Sequence, residues 1–231
     1  MKSRPILFSG PMVRALLDGS KTQTRRVVDW KKLHKQAGLP FPTKCRLARF
    51  TILEGWGLDA GDNVMRGVDC PYGVPGDRLW VRETYAIMSV DTGTVSVARA
   101  ERMPPGKTLA ETDGGTEVIH VSLEDWVWAE SRVDSERWRP SIFMPRWACR
   151  IELECMEDAR AERLQDITEA DAKLEGVEVG NLIPGNPNGW QERGSRRLGF
   201  RILWEKLHNK PGERWDDNPE LVRVGPFRRL R

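Results

Sequence analysis

No run of apolar residues in the 231-residue chain approaches the ~20 needed to cross a bilayer, so a membrane-spanning helix is excluded. The start, Met1-Lys2-Ser3-Arg4, leads straight into a strand-like segment without the apolar region of a signal peptide, and a cytosolic location is expected. Only three histidines are present, His34, His120 and His208, and the four cysteines, Cys45, Cys70, Cys149 and Cys155, fall in no ligand spacing. No metal site and no disulfide is expected, and the cysteines read as small apolar residues. Charge of one sign is also scarce, with 37 basic against 34 acidic residues for a net of +3. That balance excludes a protein built only to coat nucleic acid and leaves room for a local contact.

Tryptophan is plentiful by contrast, ten residues against two tyrosines. Trp80, Trp147 and Trp204 fall on strand or helix patterns and read as core. Trp30, Trp56, Trp126, Trp128, Trp138, Trp190 and Trp215 stand in or beside loop-like segments next to Arg, Lys or Gly. Such rings either pin loops onto the fold or offer flat faces on which a base can stack.

Along the chain, Pro5 to Phe8 reads as a strand, and Pro11 at a first helical position opens a short helix that Gly19 stops. Lys21 to Val28 favours an extended chain, Arg46 to Leu53 reads as a strand, and the Gly-rich stretch Gly55 to Gly67 reads as an exposed loop. Arg78 to Ile87 alternates as a long strand, with short strands expected at Thr94 to Ala98 and Glu117 to Val121. Trp147 to Met156 is the cleanest alternation and is expected to be one amphipathic strand. Thr168, with Asp171 as its capping-box partner, opens a helix closed by Gly176. A helix over Leu198 to His208 and a last strand over Leu221 to Leu230 complete the chain. Strands without regular helical crossovers give a mostly antiparallel α+β fold, read as one domain with insertions near 30–44, 55–74, 88–140 and 180–197.

Two segments concentrate chemistry. Lys21-Thr22-Gln23-Thr24-Arg25-Arg26 packs an amine, hydroxyls and guanidiniums behind Gly19, yet lacks the glycine spacing of a phosphate-binding P-loop. Left to composition, it reads as a solvated strand edge. Glu175 ends its helix, where a carboxylate faces the negative end of the dipole at a cost of ~0.3 to 1 kcal/mol. Local structure alone gives no reason for it.

These same pieces carry a family resemblance. Ile6 to Arg26 resembles the opening of ASCH domains, Pro75-Gly76-Asp77-Arg78-Leu79-Trp80-Val81-Arg82-Glu83 resembles their Gly-Asp strand entry, and Leu164 to Val177 resembles their helix. Cys70-Pro71-Tyr72-Gly73 and Trp138-Arg139-Pro140 resemble the long form encoded by bacteriophages and prophages, which would place the chain in a host cytoplasm. The resemblance implies a PUA-like β-barrel. It also implies a cofactor-free hydrolase that acts on an acylated cytidine nucleoside or a related nucleic-acid substrate, since the family includes an acetylcytidine amidohydrolase. The family's lysine, threonine and glutamate then correspond to Lys21, Thr24 and Glu175. Thr24 would attack the acetyl carbonyl, with Lys21 as base and Glu175 orienting it, or Glu175 would activate water beside a charged Lys21. Lys21 and Thr24 lie an odd number of residues apart, so a turn or bulge must intervene for both to serve one site. Two other functions remain open: a module that grips RNA or single-stranded nucleic acid with Arg25, Arg26, Arg82 and Arg146, or a ribonuclease.

Overall fold

A computed structural model describes residues 1–40, 46–49, 56–61, 65–70, 72–100, 116–134, 137–179 and 194–231. In chain order the elements are β1 (Ser3–Leu7), α1 (Gly10–Leu17), β2 (Thr24–Val27), α2 (Trp30–Ala37), β3 (Arg46–Arg49), β4 (Trp56–Asp59), β5 (Met65–Val68), β6 (Arg78–Arg82) and β7 (Tyr85–Asp91). They continue with β8 (Thr94–Arg99), β9 (Thr116–His120), α3 (Leu123–Glu130), β10 (Glu152–Cys155), β11 (Arg160–Arg163), α4 (Glu169–Leu174), α5 (Arg196–Leu207), β12 (Glu220–Val224) and β13 (Phe227–Arg229). The fold is mixed α+β with several antiparallel sheets and few helices. Among the described residues no sheet closes into a barrel. No described helix is long and apolar enough to cross a membrane.

The chain gathers into two compact units, each assembled from separate stretches of sequence. The first comprises Met1–Lys2, Gly19–Asp77 and Glu154–Arg228. Its sheet β11-β12-β2 is antiparallel, with Thr24 opposite Val224, Arg25 opposite Arg223, Arg26 opposite Val222 and Val27 opposite Leu221. Because side chains alternate along a strand, Thr24 and Arg26 share one face with Val222, and Arg25 and Val27 share the other with Leu221. Behind the second face lies a core of Leu164, Ile167, Ala172, Phe200, Trp204, Trp215 and Leu221. A second antiparallel sheet orders β3-β4-β5.

The second unit comprises Ser3–Asp18, Arg78–Leu153 and Arg229–Arg231. In it β1 pairs in parallel with β6, and β7-β8-β9 form an antiparallel meander. Its core is Trp80, Tyr85, Ile87, Val95, Val97, Ala129, Met144, Ala148 and Cys149. Buried Glu83 receives two 2.8 Å hydrogen bonds from Arg150, and Arg99 donates to Glu117 at 2.9 Å and to the Ala148 carbonyl at 2.8 Å.

Several sequence expectations change. Gly55 to Gly67 is not a plain loop, because β4 lies within it and buries Trp56 and Leu58, while β5 begins at Met65. The basic stretch after residue 29 holds α2, capped by the Asp29 side chain and closed by left-handed Gly38. The long strand over 78–87 breaks into β6 and β7, and the alternation from Trp147 begins instead in a 3-10 turn, Arg146–Ala148, with β10 starting at Glu152. Gly225-Pro226 divides the last strand into β12 and β13. Cys70, Cys149 and Cys155 are buried and unbonded to one another. Cys45 and Trp190, like most of 180–197, lie outside the described residues. Trp80 and Trp204 are core as expected and Trp147 is partly buried against the second unit's core, while Trp56 and Trp215, read from sequence as loop-side rings, are buried.

Candidate active site

The capping box at the start of α4 forms as its sequence demands, with Thr168 accepting from the Asp171 N–H and Asp171 reaching back to Thr168. The helix runs six residues to Leu174 with Glu175 as its C-cap, and Gly176 takes a left-handed φ of 74°. On the other segment Gly19, with φ 81°, turns the chain toward β2. Lys21 and Glu175 then meet as an isolated antiparallel bridge, although 154 residues separate them.

The N–H groups of both Thr22 and Gln23 donate to the single carbonyl of Leu174, at 2.9 and 3.2 Å. Two residues opposite one is a bulge, and it removes the parity objection to a site shared by Lys21 and Thr24. Gly225 makes room for this irregular stretch: a Cβ there would lie 2.7 Å from the Thr22 carbonyl oxygen and 2.9 Å from the Gln23 Cα.

At the bridge, Lys21 Nζ donates to Glu175 Oε2 at 2.7 Å and to the Glu175 carbonyl at 2.9 Å. Arg25 Nη1 donates to the other carboxylate oxygen, Oε1, at 3.0 Å. Arg25 Nε also donates to Glu162, and its Nη2 lies 3.5 Å from Asp171. Asp171 accepts from Gln23 Nε2 at 3.1 Å and from Arg223 Nη1 at 3.4 Å. Cations and carboxylates thus alternate through the cluster. The side chains of Lys21 and Arg25 have no exposed surface, and that of Glu175 has 3%.

Burial pushes the Lys21 amine below its ordinary 10.5, against the opposing pull of Glu175. Burial likewise raises the Glu162 carboxyl, opposed by Arg25. Asp171 is also raised by burial, but hydrogen bonds from Thr168 and Gln23 and the charge of Arg25 outweigh it and hold the carboxyl at about 2. The Arg26 guanidinium is lowered by burial and feels both the Tyr72 hydroxyl and the Glu175 carboxylate.

Tyr72 lines a cavity of about 270 Å³ whose walls include Val27, Val28, Trp56 and Val222, with Asp29 and Asp69 as acidic members. Burial raises the Tyr72 hydroxyl, and Arg26 opposes that shift. Arg26, Tyr72 and this cavity belong to the same unit as the Lys21 cluster.

Of the residues singled out in the sequence, Lys21, Arg25 and Glu175 are brought into direct contact. Thr24 is buried in β2 beside them in sequence, and no described hydrogen bond joins it to Lys21 or Glu175. Arg82 and Arg146 belong to the other unit, where their guanidiniums lie 4.5 and 5.4 Å from the centre of the Trp80 ring. Arg146 also pairs with Glu152, and Arg82 donates to the Ile142 carbonyl at 3.0 Å. Neither the Lys21 end of the segment read from composition as a solvated edge nor Glu175 is exposed. Glu162 and Arg223 enter the cluster without any sequence signal, because pairing across β11, β12 and β2 supplies them. No group of histidine, cysteine or acidic side chains able to hold a metal occurs among the described residues. No protein-family model, no curated protein and no solved structure matches this chain.

Proposed function

We propose that the protein is a metal-free amidohydrolase that removes an acyl group from the exocyclic amine of a modified cytidine nucleoside or a related nucleic-acid substrate, on a PUA-like fold of the ASCH type. The observation that carries this reading is the Lys21–Glu175 contact at 2.7 Å, with the Lys21 amine lowered by burial. A buried ion pair is a weak stabiliser beside apolar side chains of equal volume, so the arrangement is better explained by chemistry than by stability. A desolvated amine is the form of lysine suited to taking a proton.

Thr24 Oγ1 attacks the acyl carbonyl carbon, and its proton passes to Lys21 in the deprotonated form that burial makes more accessible, with Glu175 holding the amine in place. The tetrahedral adduct collapses with cleavage of the carbon–nitrogen bond, and the proton moves from Lys21 to the leaving exocyclic amine. Water then adds to the acyl-threonine ester, releasing a carboxylic acid and regenerating Thr24. Arg26, which feels Glu175, supplies positive charge for the oxyanion. The base of the substrate is assigned to the cavity of about 270 Å³ that Tyr72 lines, in the same unit as the Lys21 cluster.

Burial of the Lys21 and Arg25 side chains weighs against the binding-module reading, since charges already spent on Glu175 and Glu162 do not reach a phosphate. The test is a panel of acylated nucleosides offered to the pure protein, with parent, Thr24→Val and Glu175→Gln compared and RNA binding followed in parallel. Release of the carboxylic acid by the parent, lost in a Glu175→Gln variant that circular dichroism shows to be folded, supports the hydrolase. Loss in Thr24→Val as well assigns Thr24 as nucleophile, whereas retention assigns direct attack by water. A parent that releases nothing and binds RNA in a salt-dependent way overturns the hydrolase.

A further inference from the structure

In the second unit the arginines Arg99 and Arg150 are matched by Glu83 and Glu117. A different arrangement surrounds Tyr85. A cavity of about 380 Å³ is lined there by Arg132, Arg137 and Arg139, interleaved with Trp128, Trp138 and Phe143. Among the described residues, none of its lining is acidic and none of these arginines forms an ion pair. Arg132 donates to the Trp128 carbonyl at 3.1 Å and to Ser131 Oγ at 2.7 Å, with its guanidinium 4.4 Å from the centre of the Trp128 ring. Arg139 donates to the Arg132 carbonyl, while its buried Nε has no acceptor. Arg137 is exposed.

Like charges gathered without a carboxylate repel one another unless an anion joins them. Burial raises the Tyr85 hydroxyl, and Arg139, Arg132, Arg82 and Arg99 all oppose that shift, which records the positive field inside the site. The planar guanidinium fork suits a phosphate, which accepts two parallel N–H bonds. Flat side chains supply the other half of the recognition. Phe143 is 67% exposed, an unusual placement for a ring that has no ligand to cover, and Trp138 stands partly buried against Ala86 and Ala98. Arginines alternating with aromatic faces are the chemistry that grips a nucleotide by phosphate and base together, and the volume falls in the range of small-ligand sites.

We propose that this cavity binds a phosphate-bearing aromatic ligand, a nucleotide either free or as one unit of a single-stranded nucleic acid, with the phosphate on Arg132, Arg137 and Arg139 and the base against Phe143 and Trp138. The site is independent of the hydrolase reading, because it uses none of the Lys21 cluster.

The test is titration calorimetry on the full chain with adenosine 5′-monophosphate, adenosine and a short single-stranded oligodeoxyadenylate, repeated with Arg137→Gln and Phe143→Ala. Both substituted side chains are exposed, and circular dichroism verifies that each variant keeps the parent fold. Adenosine 5′-monophosphate binds at least about tenfold more tightly than adenosine, as loss of a charge-assisted phosphate contact demands. Arg137→Gln lowers the slope of log affinity against log salt for the oligonucleotide by about 1. Phe143→Ala weakens binding of the nucleotide by about tenfold. Tighter binding of the oligonucleotide assigns the site to a strand, and equal binding assigns it to a free nucleotide. Equal affinity for adenosine and its monophosphate, no binding of any probe, or parent-like binding by both folded variants overturns the proposal.

Discussion

Two groups of basic side chains in this protein are treated in opposite ways. In the first unit Lys21, Arg25 and Arg223 are answered by Glu175, Glu162 and Asp171, so each buried cation has a carboxylate. In the second unit Arg132, Arg137 and Arg139 stand around a cavity whose described lining holds no carboxylate. Desolvation forces the first arrangement, since an unpaired charge without water around it costs several kcal/mol. The second is tolerated because the pocket is open and its arginines are partly or fully exposed. In the first cluster burial lowers the Lys21 amine against the pull of Glu175, whereas the described lining of the second offers its arginines no carboxylate.

The contrast breaks most severely at Glu175. Glu175→Gln leaves Lys21 and Arg25 facing a neutral amide, and a loss of ~3 to 5 kcal/mol is expected from urea denaturation. Adding Lys21→Met recovers part of it, because the uncompensated amine is then gone. Gly225→Ala strikes the bulge instead. At φ 115° a Cβ meets the Thr22 carbonyl at 2.7 Å, and the backbone strain alone is worth ~1 to 3 kcal/mol, read as a lowered Tm.

Smaller effects sharpen the electrostatics. Folded Lys21 holds its proton less firmly than the unfolded chain does, so its contribution to stability rises as pH climbs from the lowered value toward 10.5, and Lys21→Met removes that rise. Asp171 has the reverse sign. Its folded carboxyl sits at about 2 against an ordinary 3.8, so its contribution is present above 3.8 and is lost as pH falls toward about 2. Asp171→Asn flattens this acid limb and costs ~1 kcal/mol at neutral pH through the capping box. Arg137→Gln lies at the other extreme, within about 0.5 kcal/mol of the parent, because no described carboxylate depends on it.

The parts of this fold that the sequence makes legible are those decided locally. Thr168, Asp171 and Gly176 define α4 because a capping box and a left-handed terminus act within a few residues. Gly19 marks the turn before Lys21 for the same reason. Parts decided by long-range pairing are not legible. Gly57 and Gly67 read as loop residues, yet they sit opposite each other in β4 and β5, where burial of Trp56 and Leu58 overrides the turn preference of glycine. Alternation from Trp147 onward misleads similarly, since a 3-10 turn can also leave Ala148 and Cys149 buried. Glu162 reaches Arg25 only because β11 and β2 flank β12. The three arginines of the cavity near Tyr85 are visible in sequence only as neighbours of tryptophans, and that its described lining carries no carboxylate is a property of the fold.

The most direct test of the matched cluster is the rate of acetate release from acetylated cytidine by the parent and by Lys21→Arg. A guanidinium keeps the charge and much of the volume of lysine but holds its proton throughout the working pH range and cannot supply a neutral base. Turnover by the parent and its loss in folded Lys21→Arg is the expected result. Undiminished turnover in Lys21→Arg would contradict the assignment of Lys21 as the base.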